Sequence, residues 1–222
     1  MMTDKTVLPS LDALIIRIES IRAQQEGAEM VLTLTISENG KIESCKLVIP
    51  TEVYCEKNLR KGLISRETFE ELQVLSRRFE AIRCGENLLA FGPNTAQTLI
   101  RKIMRHGFTR SESEEAAEIL LERGLIREDQ DLRREVEKCL RKLWGRRRIQ
   151  FHLRSKGFAD ETLADLPELL GNVDFPKQCA HLIRKQYGEL PTDRAELDRM
   201  FASLSRYGYS LDEIRDALRI LR

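Results

Sequence analysis

A chain of 222 residues is long enough for one large domain or two small ones, each with its own core. Its 37 Lys and Arg stand against 36 Asp and Glu, a formal charge of +1, so bulk charge does not mark a nucleic-acid binder and any such binding must come from local clustering. No stretch has the length and apolarity of a membrane span, and the opening "MMTDKTVLPSLDALIIRIES" lacks the basic start and small-residue cleavage site of a secretory signal.

The segment "LIIRIESI" at 14–21 fits two patterns. Leu11, Leu14, Ile15 and Ile18 have helical spacing, whereas a strand places Ile16 and Ile18 on one face, and β-branching tips the balance toward the strand. "EMVLTLTISENGKIESCKLVIP" at 29–50 is clearer. Alternation in "VLTLTI" runs into Asn39-Gly40, a pair suited to the positive φ angles of a type I′ hairpin. With that pair in the loop, Leu34 falls opposite Cys45 and Leu32 opposite Leu47, and Glu38 and Lys41 flank the turn with opposite charges. After Pro50 the period becomes helical. Phe69, Leu72, Leu75, Phe79 and Ile82 recur every three or four residues behind Ser65, a capping residue. "FGPN" at 91–94 breaks the chain, which places a boundary between an N-terminal β/α region, 1–92, and a helical region, 93–222.

The helical region repeats itself. "LIRKIMRHGFTRSE" (99–112), "IQFHLRSKGFADET" (149–162) and "MFASLSRYGYSLDE" (200–213) align on Gly107-Phe108, Gly157-Phe158 and Gly208-Tyr209. Leu99, Ile149 and Met200 precede the glycines by the same interval, as do Ile103, Leu153 and Leu204. A helix with one apolar stripe would end where glycine adopts the left-handed conformation, the aromatic would fold back as a core residue, and a second helix would start after a cap such as Ser111, Asp160 or Ser210. Units of this size bury their apolar faces by stacking on neighbours. The expected fold class is mainly α: tandem three-helix repeats, at about 93–138, 139–190 and 191–222, forming an elongated body behind a small β-hairpin-containing region.

"LWGRRRIQFHLRSKGF" at 143–158 lies in a window, Lys138 to Ala159, with no acidic residue. Arg141, Lys142, Arg146, Arg147, Arg154 and Lys156 are its candidate contact residues, and Arg101, Lys102 and Arg105 form a second basic cluster in the equivalent helix of the first unit. Arginine forks pair bidentately with carboxylate or phosphate, so such a surface suits an acidic protein groove or single-stranded DNA. The near-zero net charge favours a protein partner, with DNA phosphates as a second contact. Trp144, at a helix end before Gly145, is expected as a packing anchor with Arg148 lining the same joint.

Motifs for catalysis are absent: "RCGENLLAFG" lacks the Lys-Ser/Thr of a phosphate loop, and no nucleophile elbow occurs. Cys45, Cys55, Cys84, Cys139 and Cys179 are scattered, which suits reduced cytosolic thiols, and none of His106, His152 and His181 stands near a cysteine in a metal-ligand pattern. No enzyme, cofactor or metal is expected.

The middle unit resembles the RecX family of recombination regulators. The family pattern there is Trp-Gly-x-Arg-Arg-Ile followed by Leu-x-x-Lys-Gly; "RMFASLSRYGYSLDEIRDAL" is similar to its C-terminal unit, and "LIRKIMRHGF" with "LLERGLIRED" to its first. "LRKGLISRETFEEL" at 59–72 resembles the linker helix of longer members, and the resemblance covers most of 14–222. The family's Arg-Ser at the start of the first unit is Asn94-Thr95 here, and its Phe-Ala after the acidic pair is Asp131-Leu132. The resemblance implies a cytoplasmic, non-enzymatic protein of DNA recombination and repair, and the protein is expected to be a monomer. Such a protein binds the RecA–single-stranded DNA filament and inhibits strand exchange and ATP hydrolysis. The competing classes are a helix-turn-helix DNA reader and a helical scaffold. The acidic, apolar segments "SESEEAAEILL" and "DETLADLPELL" after the Gly-aromatic pairs are poor groove readers.

Overall fold

The computed structural model describes residues 14–222. Leu11, one position of the helical alternative for the first segment, lies outside them. Ile15–Gln24 is a strand, β1, with Ile16 and Ile18 only 2% and 1% exposed on its inner face. A one-turn 3-10 helix, Gln25–Gly27, leads into β2 (Glu29–Glu38) and β3 (Lys41–Pro50). Asn39 (φ 50°) and Gly40 (φ 76°) supply the two positive φ angles that the tight hairpin requires. The register is the one set by the alternation: Leu34 faces Cys45, Leu32 faces Leu47 and Glu38 faces Lys41. A short helix, α1 (Thr51–Glu56), precedes β4 (Gly62–Ile64), which pairs with β1 and completes an antiparallel sheet of order β3-β2-β1-β4.

The long helix α2 (Arg66–Ala90) covers the inner face of this sheet, and Phe69 and Leu72 join Ile16, Ile18, Leu32, Leu34 and Ile49 in one core. Ser65 caps it by accepting the Thr68 N–H at 3.2 Å. The outward N–H of Val48 on edge strand β3 would otherwise lack a partner, and it donates to Ser76 Oγ on α2 at 2.9 Å. Glu29, 5% exposed, pairs with Arg83 of α2 at 2.6 Å. The helix runs beyond Ile82 and stops at Ala90, just before the glycine-proline break.

The chain divides into two compact units: the described part of Met1–Asn87 with Ile103–Ala116, and Leu88–Lys102 with Ala117–Arg222. After α2 the elements are all helical: α3 (Ala96–Arg105), α4 (Arg110–Glu122), α5 (Glu128–Arg141), α6 (Arg146–Ser155), the single turns α7 (Asp160–Leu163) and α8 (Leu166–Leu169), α9 (Phe175–Tyr187), α10 (Arg194–Arg206) and α11 (Leu211–Leu221). The expected helix after Gly157-Phe158 is thus split in two, with Pro167 in the first turn of α8. The protein is mainly helical, led by a small antiparallel sheet.

Two of the three Gly-aromatic anchors behave as expected; at the first, Phe108 is only half-buried, with the Arg77 guanidinium 4.6 Å from its ring centre. Gly107, Gly157 and Gly208 have φ of 90°, 83° and 96°. The six aligned apolar positions, Leu99, Ile103, Ile149, Leu153, Met200 and Leu204, are all buried, and Phe158 and Tyr209 fold back into the core. At the second and third anchors the N–H after the glycine bonds back across the helix end, Phe158 to Leu153 O and Tyr209 to Leu204 O. Two capping expectations are corrected. Thr109, not Ser111, starts α4: Thr109 Oγ1 accepts the Glu112 N–H while Glu112 returns a bond to the Thr109 N–H, because these two residues have the three-residue separation of a capping box. Asp160 caps nothing; it is the first residue of α7, where Ala159 holds the cap position. Ser210 does cap α11, in a full box with Glu213.

Within the second unit, two junctions use equivalent positions. Thr95 precedes Gly107 by the same interval as Gly145 precedes Gly157. The hydroxyls of Thr95 and Thr98 donate to the Lys156 carbonyl, just before Gly157. The Gly145 N–H donates to the Tyr207 carbonyl, just before Gly208, and the Arg147 N–H donates to Gly208 O. Each junction therefore seats a glycine turn on the start of an earlier helix. The Gly145 junction leaves no room for a side chain: a Cβ on Gly145 would meet the Gly208 carbonyl carbon at 2.4 Å. Gly145→Ala is expected to destabilise the fold by about 3 kcal/mol in denaturant unfolding, the upper range for overpacking against atoms that cannot retreat.

Candidate functional site

The basic segment begins at a strained turn. Leu143 ends α5 with φ 55°, a left-handed conformation that costs a β-carbon-bearing residue roughly 1–2 kcal/mol. One buried and one half-buried group hold it: the Tyr209 hydroxyl donates to Leu143 O at 2.9 Å, and Gln178 Nε2 donates to Trp144 O at 3.0 Å. Burial raises the Tyr209 phenol well above its ordinary value, so it stays protonated as a donor. Trp144 then packs against the unit's core. Its ring meets the His152 ring edge-on at 5.0 Å, and the Arg148 guanidinium lies 4.3 Å from its centroid and 5.2 Å from that of Tyr207. Trp144 and Arg148 line one joint, as the sequence indicated.

The candidate cations have different fates. Arg146 is exposed, with its guanidinium 4.8 Å from the centre of the buried Phe175 ring. Arg147 and Arg154 are exposed on α6, and Phe151 between them is 76% exposed; their spacing puts all three on one helix face. Among the described residues no salt bridge ties Arg146, Arg147 or Arg154. Lys142 sits 5.0 Å above the Trp144 ring, and Arg141 approaches Glu137 at 3.9 Å. Arg101 folds back onto Gln97 O and Thr98 Oγ1, Lys102 is half-buried and donates to Asn94 Oδ1 at 2.6 Å, and Arg105 is exposed near the end of α3. Lys102 and Lys156 line one cavity of about 300 Å³ with Arg134, Lys138, Asp131 and Glu135.

Glu135 is the residue that sequence reasoning missed. It is a buried carboxylate on α5, and His152 Nε2 (2.9 Å), Lys156 Nζ (3.2 Å) and Lys138 Nζ (3.3 Å) converge on it. Burial alone would raise its pKa, but the bonds from His152, Lys156 and Lys138 outweigh that and bring it down to about 2. Cys139, one turn further along α5, is buried, and burial raises its thiol pKa. Asp131, one turn earlier, is also raised by burial. The signal was present: Glu135 and Cys139 are four apart on one helix, and His152 falls on the inner side of the next. In the first unit Glu112 makes a comparable bond. Arg77 grips it at 3.0 Å through two nitrogens and also donates to Gly107 O, and Glu112 is held at about 2.

These elements define a mainly helical protein whose N-terminal part is a four-stranded antiparallel sheet and whose second unit carries an exposed arginine-bearing helix. No family model matches the sequence. The fold is similar to that in a crystal structure of regulatory protein RecX, with a TM-score of 0.65 at 19% identity over 92% of this chain and 99% of that one. It is also similar to RecX from Lactobacillus salivarius, with a TM-score of 0.56 at 18% identity over 65% of this chain and 96% of that one. In sequence, a regulatory protein RecX from Halorhodospira halophila (strain DSM 244 / SL1) is 30% identical over 140 residues, 62% of this chain and 86% of that protein. The chain belongs to the RecX family of regulatory proteins. Among the described residues, no helix is long and apolar enough to cross a membrane.

Glu112 and Glu135 make stability depend on acid. A carboxyl held at about 2 against an ordinary 4.5 contributes fully above pH 4.5, and its contribution is lost as pH falls toward 2. Unfolding free energy is expected to decline across that window, and Glu135→Gln is expected to make the decline shallower, as read from chemical unfolding at a series of pH values.

Proposed function

We propose that this protein binds the RecA recombinase assembled on single-stranded DNA and slows it, acting in recombination and repair without catalysis of its own. Membership of the RecX family supports the regulator class. The observation that carries the site is the exposed Arg147–Phe151–Arg154 face of α6, joined by Arg146, in a stretch of chain from Lys138 to Ala159 without an acidic side chain. Guanidinium forks there are placed to meet carboxylates of a protein groove first and DNA phosphates second. Arg101, Lys102, Arg105, Arg141, Lys142 and Lys156 are the further candidate residues. Several of them are held by intramolecular bonds that a partner must exchange for its own.

The finer architecture is part of the same proposal. Residues 93–222 are tandem units behind a 1–92 region, and the matched use of Thr95 and Gly145 at their junctions supports that view. The working form is a cytosolic monomer.

Purified protein is expected to slow RecA ATP hydrolysis on single-stranded DNA at near-stoichiometric or lower amounts; an unchanged rate across a broad titration with the cognate RecA would refute the proposal. Arg146→Glu with Arg147→Glu is expected to weaken filament co-sedimentation by at least tenfold, or roughly 1.4 kcal/mol, with the helical circular dichroism spectrum of the native fold retained. Tight, sequence-selective duplex binding at physiological salt would instead identify a DNA reader.

A further inference from the structure

The packing of α5 on α6 brings together three side chains whose chemistry belongs to one class of ligand. Glu135 and Cys139 project from the same face of α5, and His152 meets them from α6. A carboxylate oxygen, the Cys139 Sγ and a ring nitrogen of His152 all lie within 4.8 Å of one another. Glu135 and Cys139 are buried and His152 is half-buried. A tetrahedral zinc ion, with bonds of about 2.3 Å to sulfur and about 2.0–2.2 Å to nitrogen and oxygen, holds its donors roughly 3.3–3.7 Å apart. Side-chain rotations that close the remaining ångström complete a three-donor set.

We propose that Glu135, Cys139 and His152 form a binding site for a thiophilic divalent transition metal, zinc above all. The donors are one thiolate, one imidazole and one carboxylate, the mixed borderline-soft set that zinc accepts with a fourth position left for water. His152 is already oriented, since its ring is fixed edge-on against Trp144. Glu135 lines the cavity of about 300 Å³ together with Asp131 and the cations Lys102, Arg134, Lys138 and Lys156, so the ion reaches the carboxylate only as its lysines move aside. Binding releases the Cys139 thiol proton to solvent. The bound metal, balanced by the thiolate and Glu135, displaces the ammonium groups of Lys138 and Lys156 from that carboxylate. Both lysines are about half exposed, 53% and 48%, so they swing into water still protonated. The metal therefore pins α5 to α6 and turns two internally paired cations outward, beside the basic face of α6. The site stands on its own geometry and does not depend on the recombinase proposal.

The test is a cobalt(II) titration of the full, reduced chain, followed by zinc. A thiolate-to-cobalt charge-transfer absorption that saturates stoichiometrically and disappears on adding zinc is expected. Cys55→Ser, which alters an exposed thiol elsewhere, should keep the band. Cys139→Ser should abolish it, and His152→Gln should weaken the affinity by more than about tenfold, the least that losing even an outer partner of a metal costs. Metal-free circular dichroism checks the fold of each variant. X-ray absorption of the zinc-loaded native chain needs no variant and should show a single sulfur among nitrogen and oxygen neighbours. No charge-transfer band in the native chain, a band that survives Cys139→Ser, or a zinc shell without sulfur or with several sulfurs would overturn the site.

Discussion

Two stretches of backbone touch where Gly145 meets Gly208, and the second unit is organised around that contact. The N-terminus of a helix leaves N–H groups without intrahelical partners. Here the Gly145 and Arg147 N–H groups find theirs in the carbonyls of Tyr207 and Gly208, which requires that neither glycine carry a side chain. The contact also dictates what comes before it. The chain must leave α5 sharply enough to deliver Gly145 to that place, and Leu143 accepts a left-handed φ to do so, held by Tyr209 and Gln178. Once the start of α6 is set, the helical period decides the rest: Arg148 turns inward onto Trp144 and Tyr207, while Arg147, Phe151 and Arg154 face water.

Charge is distributed by the same logic. Several acidic residues are engaged by cations outside the exposed face of α6. Arg77 and Arg78 take Glu112 and Glu115 in the first unit, and Glu135 gathers Lys138, Lys156 and His152 inward. A buried carboxylate with several cationic partners satisfies its own desolvation and costs several kcal/mol when a partner is removed, so without a replacing cation its lysines are committed. Among the described residues, the arginines of α6 have no such acid. A nearly neutral chain can thus present a cationic helix, because the stretch from Lys138 to Ala159 carries no acidic side chain.

What the sequence made legible was local. The hairpin register followed from alternation and Asn39-Gly40 alone, and the glycine-ended helices from an apolar period that stopped at a residue able to adopt positive φ. The misplaced caps at Ser111 and Asp160 were errors of one or two residues, the scale on which turn geometry outranks residue preference. The exposed arginines of α6 could be named because the helix period separates Ile149 and Leu153 from Arg147 and Arg154. What stayed hidden was long-range. Nothing near Gly145 announces that Gly208 must lie against it. Glu135 looks like one more surface acid in "RREVEKCLRK" until α6 is laid across it.

The same distinction separates two kinds of residue in the candidate surface. Lys156 and Lys102 belong to the basic pattern in sequence, yet in the fold each already has an acceptor, Glu135 and Asn94, so engaging a partner through them requires giving up a bond. Arg147 and Arg154 give up only water. An exposed ion pair contributes little, about 0–1 kcal/mol, unless its geometry is fixed beforehand. α6 supplies that fixation, because its start is pinned through backbone bonds and its buried side carries Ile149 and Leu153. The rigidity of the glycine junction is therefore the reason that a few solvated arginines on this helix can act as a specific surface rather than as a diffuse patch of charge.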